Sequence, residues 1–189
     1  MLWSLEEELI TEKFPEFFEF SRHLSNGIVI DGEIIAFSNG KPLPYNTLSG
    51  RLNKKLVSNK IINEYPAAFI AFDLLELDGI EITHKSLIER RALLEQVIEK
   101  IDQTGKIYLS PLLEFRNLKA LNDIKNSATE NNCNGLILKK KNSQYHIQDS
   151  WLSIAREKYS IKGVLLYAQR AQNSSHFTDL TFGVWNNGE

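Results

Sequence analysis

Apolar positions along the chain switch between a helical and a strand period. Ile10, Phe14, Phe17 and Phe18 fall at i, i+4, i+7 and i+8, so residues 6–23 are expected to be helical, with Pro15 breaking or restarting the helix. From Gly27 the pattern changes. Ile28-Val29-Ile30-Asp31-Gly32-Glu33-Ile34-Ile35-Ala36-Phe37 is a β-branched run that ends at Asn39-Gly40, a hairpin turn signal. Residues 46–64 predict one or two short polar helices, stopped by Pro66. Ala68 to Leu75 then reads as a buried strand followed by a turn at Asp78-Gly79.

The clearest helix covers residues 86–103. Ser86 with Glu89 three positions later forms a capping box, Leu87, Leu94, Val97, Ile98 and Ile101 share one face, and Gly105 stands past the end. A short strand at 106–109, a helix at 117–130 and a strand at 135–141 follow. Beyond them the pattern predicts a long strand from Arg156 to Gln169 and another from Phe177 to Trp185. Strands that alternate with capped helices and turn on hairpins predict an α+β fold of mostly antiparallel sheets. Helices vanish after about residue 160, which sets the expected domains at 1–158 and 159–189, the second too short for a complete small barrel.

Composition narrows the function classes. With 42% hydrophobic residues in 189 the chain can bury a core, and its net charge of −2 gives no overall basic field to attract nucleic acid. The single Cys133 excludes an internal disulfide framework and a Cys-based zinc site. No apolar run is long enough for a membrane helix, and Glu6-Glu7-Glu8 near the start is unlike a secretory leader. A cytoplasmic location is the default expectation.

Three segments offer chemistry. On a strand, Asp31 and Glu33 share one face and Ile30 and Ile34 the other, so the two carboxylates suit a hard divalent cation; an Asp-Gly in a strand is also what a bulge looks like. Phe72 precedes Asp73 in a buried strand and reads either as a stacking surface for a base or as a core aromatic. Lys139-Lys140-Lys141 closes the third strand, where alternation sends Lys139 and Lys141 to one side. They read as phosphate contacts or as a charged edge that discourages strand pairing.

In this order the segments resemble the adenylation domain of bacterial-type ATP-dependent DNA ligases, over nearly the whole chain. Asp31-Gly32-Glu33-Ile34 is similar to the family's third motif, and Phe69 to Glu76 with Asp78-Gly79 to the segment whose aromatic sandwiches adenine. Asn134 to Lys139 resembles the fourth motif, with Ser143-Gln144-Tyr145 as its continuation. Val164 to Gln169 and Phe177 to Phe182 resemble the first strands of the family's OB domain. The resemblance implies a ligase-type adenylation domain followed by an incomplete OB fold, with ATP and Mg2+ as cofactors and nicked double-stranded DNA as substrate. It implies that Glu33 assists metal or ribose, that Phe72 stacks adenine, and that Lys139 with Arg156 and Lys158 faces phosphates. For that last pair two alignments stand. One puts Ser153 and Ala155 at the family's Lys-x-Lys; the other puts Arg156 and Lys158 there and preserves two cations on one strand.

The chain also departs from the family pattern. It has no Lys-x-Asp-Gly, the context of the lysine that attacks ATP; Leu5 stands where an Arg is usual, and Asn134 where the fourth motif has Glu. The expectation is a truncated, degenerate ligase-like chain that does not adenylate itself. The alternatives are a non-catalytic nucleotide- or DNA-binding module, and one half of a split ligase whose lysine segment comes from another polypeptide.

Overall fold

The structure, a computed structural model, describes residues 1–101, 105–130, 132–133, 135–145, 151–155, 163–170 and 177–184. Two compact units divide at Arg156, the first Met1–Arg156 and the second Glu157–Glu189. Among the described residues no helix is long and apolar enough to cross a membrane.

The first unit is organised on a sheet of order β2-β1-β3-β4, with β5 added beside β3. β1 (Val29–Ser38) turns through Asn39 and Gly40, at φ 51° and 75°, into β2 (Lys41–Pro42). Both central residues are left-handed, which is what a two-residue hairpin requires and why Asn-Gly serves. β3 (Ala67–Leu77) uses the same device at Asp78 and Gly79 to reach β4 (Ile80–Glu81). β5 (Ile107–Leu109) runs parallel to β3, whereas the other strand pairs among the described residues are antiparallel.

The N-terminal segment differs from the expected helix. Thr11–Lys13 and Pro15–Phe17 are 3-10 turns, and only α1 (Phe18–Ser21) is α-helical. Phe14, Phe17 and Phe20 are the buried residues, three apart, while Phe18 is exposed. That is the three-residue repeat of a 3-10 turn, so the apolar pattern was real but its period was misread. Upstream, Glu7 turns at φ 60° and Leu2 and Ile10 pair their backbones, which leaves no run for a helix to start on.

Short polar helices α2 (Ser49–Leu52) and α3 (Asn59–Glu64) precede β3 as expected. α4 (Leu87–Ile101) starts at its capping box: the Ser86 backbone N–H donates to Glu89 Oε2 at 3.0 Å, and the Glu89 N–H to Ser86 Oγ at 3.4 Å. Its buried face (Leu94, Val97, Ile98, Ile101) packs with Ala71, Leu74, Ile82 and Ile107 into one core. A second core gathers Phe14, Phe17, Ala36, Leu48 and Ala67. Beside it Arg51 is fully buried, ion-paired to Glu16 with its Nε donating to Lys13 O at 2.6 Å.

α5 (Leu118–Glu130) leads to β6 (Gly135–Lys139), which pairs antiparallel with β7 (Trp151–Ala155). The third motif strand therefore stops at Lys139, not at residue 141. β7 lies in a stretch where the pattern predicts no strand. In the second unit the described residues form a hairpin of β8 (Val164–Arg170) and β9 (Phe177–Gly183). The rest of the long strand expected from Arg156, namely 156–162, lies outside the described residues.

Candidate functional site

β1 and β3 bring the first two motifs side by side. In their register Asp31 faces Asp73 and Gly32 faces Ala71, so Phe72 is the extra residue of a β-bulge. A bulge re-aims a side chain, and here it shifts the phase of β3 so that Ala71 and Leu74 enter the same core while Phe72 stays out of it. Gly32 has its own reason: a Cβ there would sit 2.4 Å from Phe69 Cζ and 2.6 Å from the Ile70 carbonyl oxygen. Ile30 and Ile34 pack against the cores, so alternation on β1 leaves Asp31 and Glu33 on the opposite face.

A buried ion pair fixes β3 to α4. Arg90 and Asp73 are both fully buried; Arg90 Nε and Nη2 donate to Asp73 Oδ1 and Oδ2 at 2.7 and 2.9 Å. Its Nη1 donates to the Lys85 and Ser143 carbonyls at 2.5 and 3.2 Å. The second carbonyl belongs to the turn after β6. That turn also satisfies the otherwise orphaned first N–H groups of α4, with Leu87 donating to Ser143 O at 2.9 Å and Ile88 to Lys141 O at 3.1 Å. Lys141 is thus part of a cap and does not continue the face of Lys139.

The same turn delivers Tyr145. Its hydroxyl donates to Asp31 Oδ2 at 2.6 Å, and its ring meets Trp151 edge to face at 5.6 Å. Burial, followed by the hydrogen bond and charge of Asp31, raises the phenol well above its ordinary range.

Lys139 ends β6 directly opposite Trp151. Its Nζ lies 3.6 Å from the Trp151 ring centroid and 4.3 Å from that of Phe72, and the two rings meet edge to face at 6.3 Å. Among the described residues the buried Nζ has no hydrogen-bond partner, and neither has Trp151 Nε1. Both are donors without acceptor capacity. The neighbouring carboxylates are engaged: Asp73 with Arg90, and Asp31 Oδ2 with Tyr145. Burial pulls the Lys139 amine below its usual range; Asp73 and Asp31 oppose the shift, while Arg90 and Arg91 reinforce it.

The structure therefore joins Phe72 and Lys139. Glu33 is exposed farther along β1 and makes no hydrogen bond or ion pair among the described residues. Arg156, Lys158 and Asn134 lie outside the described residues, and Ser153 is exposed on β7 opposite Ile137. Sequence reasoning missed Trp151 altogether. A Trp six positions after Tyr145 was its only signal. Asp31, which the sequence places on one face with Glu33, accepts a hydrogen bond from Tyr145 in the structure.

Residues 1–154 match the family model described as ATP dependent DNA ligase domain. A probable DNA ligase of Koribacter versatilis is 27% identical over 93% of this chain and 35% of its own length. A probable DNA ligase of Aquifex aeolicus is 31% identical over 73% of this chain and 24% of its own. Among solved structures, mycobacterial DNA ligase D complexed with ATP and MES superposes with a TM-score of 0.63 at 22% identity, across 96% of this chain and 54% of that one. The α+β fold is thus that of a ligase adenylation domain. The chain belongs to the ATP-dependent DNA ligase family, and it spans 35% or less of the length of these two curated relatives.

Proposed function

We propose that this chain forms the nucleotide-binding wall of a ligase adenylation domain and that, by itself, it does not become adenylated. The observation that carries the first half is the pair of buried donors, Lys139 Nζ and Trp151 Nε1, left without acceptors among the described residues beside the Phe72 ring. Buried polar groups without partners are rare and expensive, so such a cluster calls for a ligand bearing acceptors. A flat base with a phosphate supplies both a face for Phe72 and oxygens for Lys139. The second half rests on the sequence, where none of the lysines stands in a Lys-x-Asp-Gly context.

In this reading Phe72 stacks adenine, Lys139 neutralises phosphate, and Arg156 and Lys158 extend that role. Glu33 is left free to hold a ribose hydroxyl or one position of a magnesium ion. Among the described residues no three His, Cys, Asp or Glu side chains come together. Magnesium would therefore reach the site on the nucleotide phosphates, with Glu33 as its protein ligand, as this ion commonly does. The proposal also takes 1–158 as the adenylation part and 159–189 as the opening strands of an OB domain. Nicked double-stranded DNA is the substrate of the whole ligase, and the cytoplasm its setting.

Calorimetry with ATP, followed by intact-mass analysis after incubation with ATP and magnesium, tests both halves. The expected outcome is binding without an AMP adduct. An adduct on any lysine removes the second half, and absence of ATP binding removes the first.

A further inference from the structure

We infer that Trp151 is a positioning residue for Lys139: its indole face holds the ammonium beside Phe72, ready for a phosphate that arrives with a base on that ring. The inference rests on the nucleotide reading above and adds a residue to it. A lysine amine on a four-carbon stem ordinarily reaches for water. Here it does not. Lys139 and Trp151 are a directly opposed cross-strand pair of β6 and β7, so the backbone ladder itself sets the ring against the side chain.

Trp151 is in turn held edge to face by Phe72 at 83° and by Tyr145 at 81°. Tyr145 is tied to Asp31 through its hydroxyl. The charges around the amine come from Asp73 and Asp31, with Arg90 and Arg91 of α4 opposing them. No carboxylate among them hydrogen-bonds to Nζ. Among the described residues the ammonium is therefore kept by aromatic faces, and the closer of the two is Trp151. A base that stacks on the Phe72 face now covered by Nζ must displace it from that ring. Trp151 then keeps the cation in the site, where a phosphate supplies the missing acceptor.

The test compares the full chain with its W151F and W151S variants. Each is labelled with trace acetic anhydride across a pH series, and acetylation of Lys139 is read by peptide mass spectrometry against free Nα-acetyl-lysine amide in the same tube. The expected wild-type midpoint for Lys139 lies below that of the free lysine amide; W151F retains it, and W151S moves it up toward that reference. Should W151S lose its helical circular dichroism, W151L takes its place: it keeps the bulk that buries the amine without the π face, so its Lys139 midpoint falls further below the reference, and an unmoved one overturns the inference.

In a second arm, AMP slows labelling of Lys139 and adenosine does not. Affinity for AMP falls about tenfold in W151S while that for adenosine holds. Lys139 titrating together with the free lysine amide in the wild type, an unmoved midpoint in W151S, or equal losses for AMP and adenosine would each overturn the inference. If AMP fails to bind the wild type, it is the nucleotide reading that falls, and the ligand-free midpoints still decide the role of Trp151.

Discussion

Arg90→Met removes a buried cation while keeping the bulk and helix propensity of its site on α4. It deletes hydrogen bonds to Asp73 Oδ1 and Oδ2 and to the carbonyls of Lys85 and Ser143. Among the described residues the fully buried Asp73 carboxylate then keeps the Leu74 N–H at 2.9 Å as its one donor. Breaking one side of a buried pair in this way costs about 3–5 kcal/mol, against a typical domain stability of about 5–15 kcal/mol. With a urea slope of about 2 kcal/mol/M, the unfolding midpoint falls by about 2 M. The assay is urea unfolding followed by circular dichroism at a helical wavelength, because the described α-helices all lie within the first unit. The double variant Asp73→Leu/Arg90→Met removes both charges and recovers most of the loss. A single Arg90→Met variant that unfolds within about 0.3 M of wild type would refute the desolvation argument.

Three further outcomes are expected. Gly32→Ala drives a methyl group into the Phe69 ring and the Ile70 carbonyl and destabilises the fold by about 1–3 kcal/mol; thermal unfolding at the wild-type temperature would show that β1 and β3 are not packed this closely. Phe72→Leu keeps the fold and lowers adenine nucleotide affinity about tenfold, the scale of one lost base stack; calorimetry showing no change would place the base elsewhere. For Lys139 the sign follows from burial, which lowers the native amine below its ordinary value. Between the lowered native value and the unfolded one, the unfolded chain binds more protons, so stability rises with pH across that window. Lys139→Met loses this slope, is no less stable at neutral pH, and binds AMP more weakly. A loss of more than about 1 kcal/mol at neutral pH would mean that the two ring contacts outweigh desolvation.

Local chemistry was legible wherever a short stretch of chain decides its own conformation. Asn39-Gly40 and Asp78-Gly79 announced their turns because left-handed backbone selects few residue types. Ser86 and Glu89 announced the start of α4 because their bonds close within a single turn. Alternation on β1 put Ile30 and Ile34 toward the core correctly, since β1 keeps its phase there. The helix expected over residues 6–23 failed because a three-residue and a mixed three-to-four-residue repeat differ little across a few aromatic positions.

From its residues alone the chain settled the α+β class, most of its strands, and its kinship with DNA ligases through ordered motifs. The tertiary structure decided which motif residues meet. The bulge at Phe72, the pairing of Lys139 with Trp151, and the tie from Tyr145 to Asp31 each join residues from different strands or turns. No local pattern encodes such a meeting, because a side chain's partners depend on register and packing between segments far apart in sequence. Nor could it show that Lys139 Nζ is buried without an acceptor among the described residues, since an unsatisfied donor exists only once its neighbours are in place.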